Sequence, residues 1–243
     1  MSSTPLVAPS RSAPPRPKSG VPGRIGAGGF VALAAAIGIL IVFSTDQIVP
    51  PTSAHQADLR LWLAARATGF MALFLLTAQV VFGLVLSHPT NKTTWRLSKL
   101  LFPWHENAWV FILAFLGAHV VATVADGYAK VSLLGAFIPG LSEYRTPAIA
   151  IGTLSFYALM VTGLTARYTR LLPKGLWLKL HRFGLVVLGL AWAHGLLAGT
   201  DSVALAAAYG GSFLMVVAAS AYRYWVVRSV RTTFSTSLPQ EDA

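Results

Sequence analysis

Six long apolar runs, separated by short segments that carry the basic residues and most of the prolines, constrain this chain more than any other feature. They are Ile25–Phe43, Leu61–Leu86, Trp104–Ala125, Pro147–Ala166, Leu180–Ala198 and Val203–Val227. An α-helix rises 1.5 Å per residue, so about 20 apolar residues cross the roughly 30 Å hydrocarbon core of a bilayer. Inside that core every backbone N–H and C=O must be paired within the segment, which a helix achieves. Pro50, Pro51, Pro89, Pro103, Pro139 and Pro173 are expected between the runs, where they break no helical hydrogen bond. The expectation is an all-α fold, an integral membrane six-helix bundle over residues 24–228. A basic Pro/Ser-rich tail precedes it over 1–23 and a short tail follows over 229–243. The segment Val131–Ile138 is too short to cross and is expected at the membrane surface. Only 11% of the 243 residues are charged, against about 25% in soluble domains, too few to cover a soluble surface.

The formal charge is +11, and its distribution is topological. Arg11, Arg16, Lys18 and Arg24 precede the first run, and Lys92, Arg96 and Lys99 lie between the second and third. Arg167, Arg170, Lys174 and Lys179 lie between the fourth and fifth, and Arg223, Arg228 and Arg231 end the chain. The alternate loops hold Asp46, Asp58 and Arg60, then Asp126, Lys130, Glu143 and Arg145, then Asp201. This is the positive-inside pattern. It implies a multi-pass protein of the cell membrane with both termini cytoplasmic, an even number of spans and membrane lipid as surroundings. Basic residues bound to membrane flanks leave no reason to invoke nucleic acid. The sequence contains no cysteine, which excludes disulfides, thiolate-held Fe–S clusters and covalent c-type haem.

Four of the six histidines form two pairs. His105 and His119 lie on the third run, His181 and His194 on the fifth. Both runs head outward, so His105 matches His181 in level near the inner face, and His119 matches His194 in the outer half. The steps of fourteen and thirteen residues span about 20 Å each. Ionisable residues inside membrane helices are costly and usually functional. Two neighbouring helices could clamp one planar ligand at each level, and a haem iron takes two axial imidazoles. At 100° per residue, fourteen residues return His105 and His119 to one face, whereas thirteen leave His181 and His194 about 140° apart. The fifth helix must therefore bend, or approach the two levels from different sides; Gly184 and Gly189 lie between and could permit this. Packing or hydrogen bonding is the plainer account of any single histidine. His55, in an outer loop, and His88, at the inner end of the second run, are read as interfacial.

The paired spacing His105-x13-His119 and His181-x12-His194 resembles the ferric reductase transmembrane family. That family includes NADPH oxidases, ferric reductases and the haem subunit of the methionine sulfoxide reductase system. Trp177-Leu-Lys-Leu-His181-Arg182 and Ala193-His194-Gly195 resemble its fifth helix. Asp126-Gly-Tyr128, Ser132-Leu-Leu and Tyr144-Arg145 look like its stand-alone bacterial members. The resemblance covers about Arg60 to Arg228. It implies two haems b, an inner one ligated by His105 and His181 and an outer one by His119 and His194.

Arg66 lies about a turn inside the outer end of the second run, and a haem propionate would partner it; snorkelling to the surface accounts for it equally well. Arg182 and Lys99 lie near the inner level, where inner-haem propionates or topology alone explain them. Only sixteen residues follow Val227, and no glycine fingerprint stands in strand–turn–helix context. No flavin or nicotinamide domain is therefore expected in this chain. The donor is expected to be a cytoplasmic flavin reductase or membrane quinol, and the acceptor an extracytoplasmic redox protein or ferric iron. The contrasting reading is a transporter or channel that uses histidine for metal or protons. It calls for acidic residues within the spans, and only Glu106 is near one, at its edge.

Overall fold

Helix is the only regular structure that this apolar sequence forms among the described residues. The computed structural model describes residues 29, 32, 36, 39–40, 53–54, 59–87, 95–173, 175–199 and 205–236, with side chains after 226 excluded. Seven α-helices follow in order: α1 (Arg60–Leu86), α2 (Trp95–Ala125), α3 (Leu133–Phe137), α4 (Thr146–Arg167), α5 (Leu176–His181), α6 (Gly184–Ala198) and α7 (Ala206–Thr236). Residues 29, 32, 36, 39 and 40 of the first apolar run are helical. The rest of that run, His55, His88 and the tails over 1–23 and 237–243 lie outside the described residues.

Four helical stretches among the described residues are long and apolar enough to cross a membrane: Arg60–Leu86, Arg96–Ala125, Thr146–Arg167 and Leu176–Ala198. These match the second to fifth expected spans. The sixth is a helix too, but its described part carries Tyr209, Gly210, Gly211, Ser212, Ser220, Tyr222 and Arg223, which lower its apolarity below that of the other four. One expectation fails outright. Pro103 stands inside α2 rather than between spans, and α2 begins at Trp95, nine residues before the expected Trp104. A proline removes one N–H from the ladder, and the helix continues through it with Asn107 Nδ2 donating to the Pro103 carbonyl at 2.8 Å.

Packing follows the rules for helices in lipid, where close approach and polar bonds replace water exclusion as the force between helices. Helix α1 packs along α2 and α4 packs along α6; α1 also touches α6 and α7. The buried positions are largely small: Ala64, Ala65, Ala72, Ala114, Ala118, Ala122 and Ala148. A larger core of Leu73, Leu76, Leu84, Ile112, Val187, Leu188 and Val216 joins α1, α2, α6 and α7. Within it Thr77 and Ser212 hydroxyls share a 2.8 Å hydrogen bond, and Trp192 Nε1 donates to Ser212 Oγ at 3.1 Å. Ser155 Oγ donates to the Val187 carbonyl at 3.0 Å, tying α4 to α6.

Between α2 and α4 the chain folds back over the bundle end. Asp126 Oδ2 accepts from the N–H groups of Tyr128 and Ala129, turning the chain out of α2. Ser132 caps the five-residue α3 through Gly135 N–H. Membrane helix α4 holds α3 from below: Thr153 Oγ1 donates to the Ala136 carbonyl at 2.9 Å and the Tyr157 hydroxyl to that of Phe137. Arg145, with φ of 39°, enters α4 and donates to the carbonyls of Leu197 and Gly199 at the end of α6. Leu133 and Leu134 remain exposed on α3, as expected of a surface-lying segment.

Candidate functional site

The four paired histidines meet as their levels require. The ring centroids of His105 and His181 are 5.7 Å apart with planes crossed at 88°; those of His119 and His194 are 6.1 Å apart at 82°. His105 and His119 share one face of α2. The angular conflict on the fifth span is resolved by a break. His181 is the last residue of α5, Arg182 and Phe183 turn the chain, and α6 starts at Gly184. The backbones of the two histidine-bearing segments stand well apart over most of their length; the imidazoles meet in the gap between them.

Each histidine-bearing segment is backed by a helix that receives its imidazoles. His119 Nδ1 lies 2.6 Å from the Ala65 carbonyl, His105 Nδ1 3.0 Å from that of Gln79, and His194 Nδ1 2.8 Å from that of Ala148. A carbonyl oxygen only accepts, so Nδ1 carries the proton in all three rings. Nε2, on the far edge of the ring, is then a bare lone pair, as in metal-binding histidines. Such close seating needs a missing side chain. A Cβ at Gly69 would stand 2.7 Å from His119 Nδ1, one at Gly83 3.0 Å from His105 Cε1, and one at Gly152 2.6 Å from His194 Nδ1. Each glycine lies four residues beyond the accepting carbonyl: Ala65-x3-Gly69, Gln79-x3-Gly83 and Ala148-x3-Gly152. The ring thus lies against the one helical turn where no Cβ intervenes. Gln79 also returns a bond, its Nε2 donating to the His105 carbonyl at 2.7 Å. His181 is the exception: its Nδ1 is buried and closes no hydrogen bond.

Around His119 and His194 opens a cavity of about 230 Å³, larger than the roughly 150 Å³ that holds a benzene. It is walled mainly by apolar side chains of α1, α2, α4 and α6. Its polar lining includes Arg66 on α1 and Tyr209 on the neighbouring α7, with Thr123, Thr153 and Ser155, and Phe137 and Tyr144 from the loop over 126–145 close one end. Arg66 lies over the Trp62 ring at 5.7 Å and within electrostatic reach of Tyr209. Of the expected site residues, His119, His194 and Arg66 therefore share one cavity, and His105 and His181 form the second pair. Arg182 and Lys99 are exposed.

Among the described residues no group of three or more His, Asp or Glu is placed to hold a metal ion. Each pair offers two nitrogen donors and leaves the remaining coordination positions of a metal to something other than protein side chains. Sequence reasoning missed Tyr209, Gln79 and the three glycines. One signal was available: Gly69 and Gly83 are fourteen residues apart, the same step as His105 to His119. Comparison with family models, with curated proteins and with solved structures returns no match.

Proposed function

We propose that this chain is a membrane electron-transfer protein that holds two haems b between paired histidines, a stand-alone protein of the ferric reductase transmembrane type built as a six-helix bundle. One observation carries the reading: imidazoles meet at two levels across a gap, and three of the four have the free lone pair fixed on Nε2. The spacing fits. An imidazole nitrogen binds a first-row metal at about 2.0–2.1 Å, so two such bonds in line put the ring centroids about 6.3 Å apart. The outer pair, at 6.1 Å, and the inner, at 5.7 Å, stand close to that value. A planar macrocycle would supply the donors that two imidazoles do not, which suits sites with no third protein ligand among the described residues.

Haem supplies a one-electron iron couple when bound; everything else is the protein's work. His105 with His181 would hold one haem iron, and His119 with His194 the other, at levels separated by about 20 Å of helix. The backing carbonyls set imidazole orientation and raise its basicity. Arg66 and Tyr209 offer a cation and a hydroxyl for carboxylate groups at the edge of the outer cavity. The apolar walls and the loop over 126–145 exclude water. Basic flanks orient the chain with both termini in the cytoplasm. The inner pair then faces a cytoplasmic flavoprotein or quinol donor, and the outer pair an extracytoplasmic redox protein or ferric iron.

The test is optical. Full-length protein expressed with ample haem should show a reduced b-type spectrum with two haems per chain. His105→Ala and His119→Ala should each remove one. A colourless protein overturns the proposal.

A further inference from the structure

The three hydrogen-bonded histidines and the one exception share a single sequence rule. Where an imidazole reaches a backbone carbonyl, the residue four positions on is glycine: Gly69, Gly83 and Gly152. His181 faces the Thr162 backbone as a hydrogen-bonding neighbour, yet outside the geometry of a closed hydrogen bond, and four residues beyond Thr162 stands Ala166. A Cβ at the three glycines would lie 2.6–3.0 Å from the nearest ring atom, closer than real Cβ contacts come. Ala166 holds the corresponding sequence position on α4, and the buried His181 Nδ1 closes no full hydrogen bond.

A rival explanation is answered within the molecule. Thr165 Oγ1 lies 3.2 Å from the Thr162 carbonyl and competes for it. Thr68 stands in the same relation to Ala65, 3.1 Å away, and His119 nevertheless bonds that carbonyl at 2.6 Å. A neighbouring hydroxyl therefore does not prevent the bond. Glycine against alanine is the difference that remains on the backing helix.

We infer that Ala166 is a positioning residue that denies His181 its backbone hydrogen bond and makes it the weakest-held of the four imidazole ligands. The inference rests on the two-haem reading. A histidine whose Nδ1–H donates to a carbonyl is a stronger donor to ferric iron; one without that bond is weaker. The inner site therefore releases its haem sooner and has a higher potential than a site with two backed imidazoles. Loss of such an outer partner costs about ten- to a hundredfold in metal affinity.

Ala166→Gly in the haem-loaded full chain tests this with two readouts: a redox titration, and the rate of haem transfer to excess apomyoglobin. The inner wave is identified as the one missing in His105→Ala. Ala166→Gly should move that wave to lower potential, leave the outer wave in place and slow inner haem transfer by about tenfold. A purely structural role predicts the opposite sign, because glycine weakens a helix that alanine favours. The converse variant, Gly83→Ala, should loosen His105 in the same site, raising the inner wave and hastening transfer. Two waves of which the inner does not respond to Ala166→Gly, or faster transfer from that variant, overturn the assignment. Absence of both waves in the parent overturns the haem reading itself.

Discussion

Gly152→Ala isolates the cradle behind one histidine. The added methyl would stand 2.6 Å from His194 Nδ1, 2.8 Å from Cε1 and 2.9 Å from Cγ. Ordinary contact begins at 3.4 Å, so the ring must retreat from α4 by about 0.8 Å, the difference between the two distances. Its Nδ1···O contact to Ala148 is now 2.8 Å. A retreat of that size leaves it beyond hydrogen-bonding range. The same motion presses the ring toward His119 and alters the 6.1 Å gap. Loss of such an outer-shell bond lowers affinity about ten- to a hundredfold, or roughly 1.4–2.7 kcal/mol. The control is Gly163→Ala, on the same helix, where a Cβ meets nothing within 4 Å. Both changes favour the helix equally by propensity. Haem per chain, the two-wave redox titration and the transfer rate from the outer site should all change in Gly152→Ala and stay at parental values in Gly163→Ala. Equal behaviour of the two variants would refute the argument that the missing Cβ seats the ligand.

Arg66→Gln should shift the outer wave of a redox titration more than the inner, because Arg66 lines the His119–His194 cavity; equal shifts in both waves reject that role. Ser212→Ala should lower the thermal midpoint in detergent by an amount corresponding to about 1–2 kcal/mol, since it strips a partner from Thr77 and from Trp192 Nε1. An unchanged midpoint would show that the network adds nothing. Arg145→Gly keeps the φ of 39° comfortable while removing the bonds to Leu197 and Gly199. Limited proteolysis should cut the loop over 126–145 faster than in the parent, and faster still in Arg145→Ala, which adds backbone strain. Parental resistance in Arg145→Gly would mean that the side chain does not anchor the loop.

The histidine levels were legible because a helix converts residue count into depth with little freedom. The four apolar spans from Arg60 to Ala198 were legible for the same reason. The bend after His181 was legible as one of two ways out, the other being approach from different sides, since a thirteen-residue step does not put two imidazoles on one face of a straight helix. Its place, at Arg182–Phe183, was not, because nothing in that dipeptide marks a break. Pro103 misled for a physical reason: proline disfavours a helix interior, yet it removes only one N–H from the ladder of a 31-residue helix, and α2 runs through it. The glycines were overlooked because a glycine in a membrane helix has many uses. Only the joint spacing with carbonyl and histidine distinguishes Gly69, Gly83 and Gly152 from Gly163 and Gly117, which face open space. Tyr209 and Arg66 share a cavity through the docking of α7 on α1, a tertiary fact with no local signature.

The two halves of the candidate site are built on one plan. Helix α1 backs α2, and α4 backs α6; each antiparallel pair presents one imidazole at each level. In the first pair the seats Gly69 and Gly83 are fourteen residues apart, as are His105 and His119. In the second the seats Gly152 and Ala166 are again fourteen apart, but His181 and His194 are thirteen. Seats and ligands on antiparallel helices stay in register only if their steps agree. The one-residue deficit therefore has to be absorbed somewhere in the second pair. It falls at His181: the helix breaks there, the seat is alanine, and the hydrogen bond is missing. Three irregularities at one of four equivalent positions mark a differentiated ligand rather than scattered defects. If the shorter step alone kept His181 off the carbonyl, Ala166→Gly would restore nothing. If the methyl does so, the bond returns although the step is unchanged. The same substitution thus decides which irregularity on the second pair is cause and which is consequence.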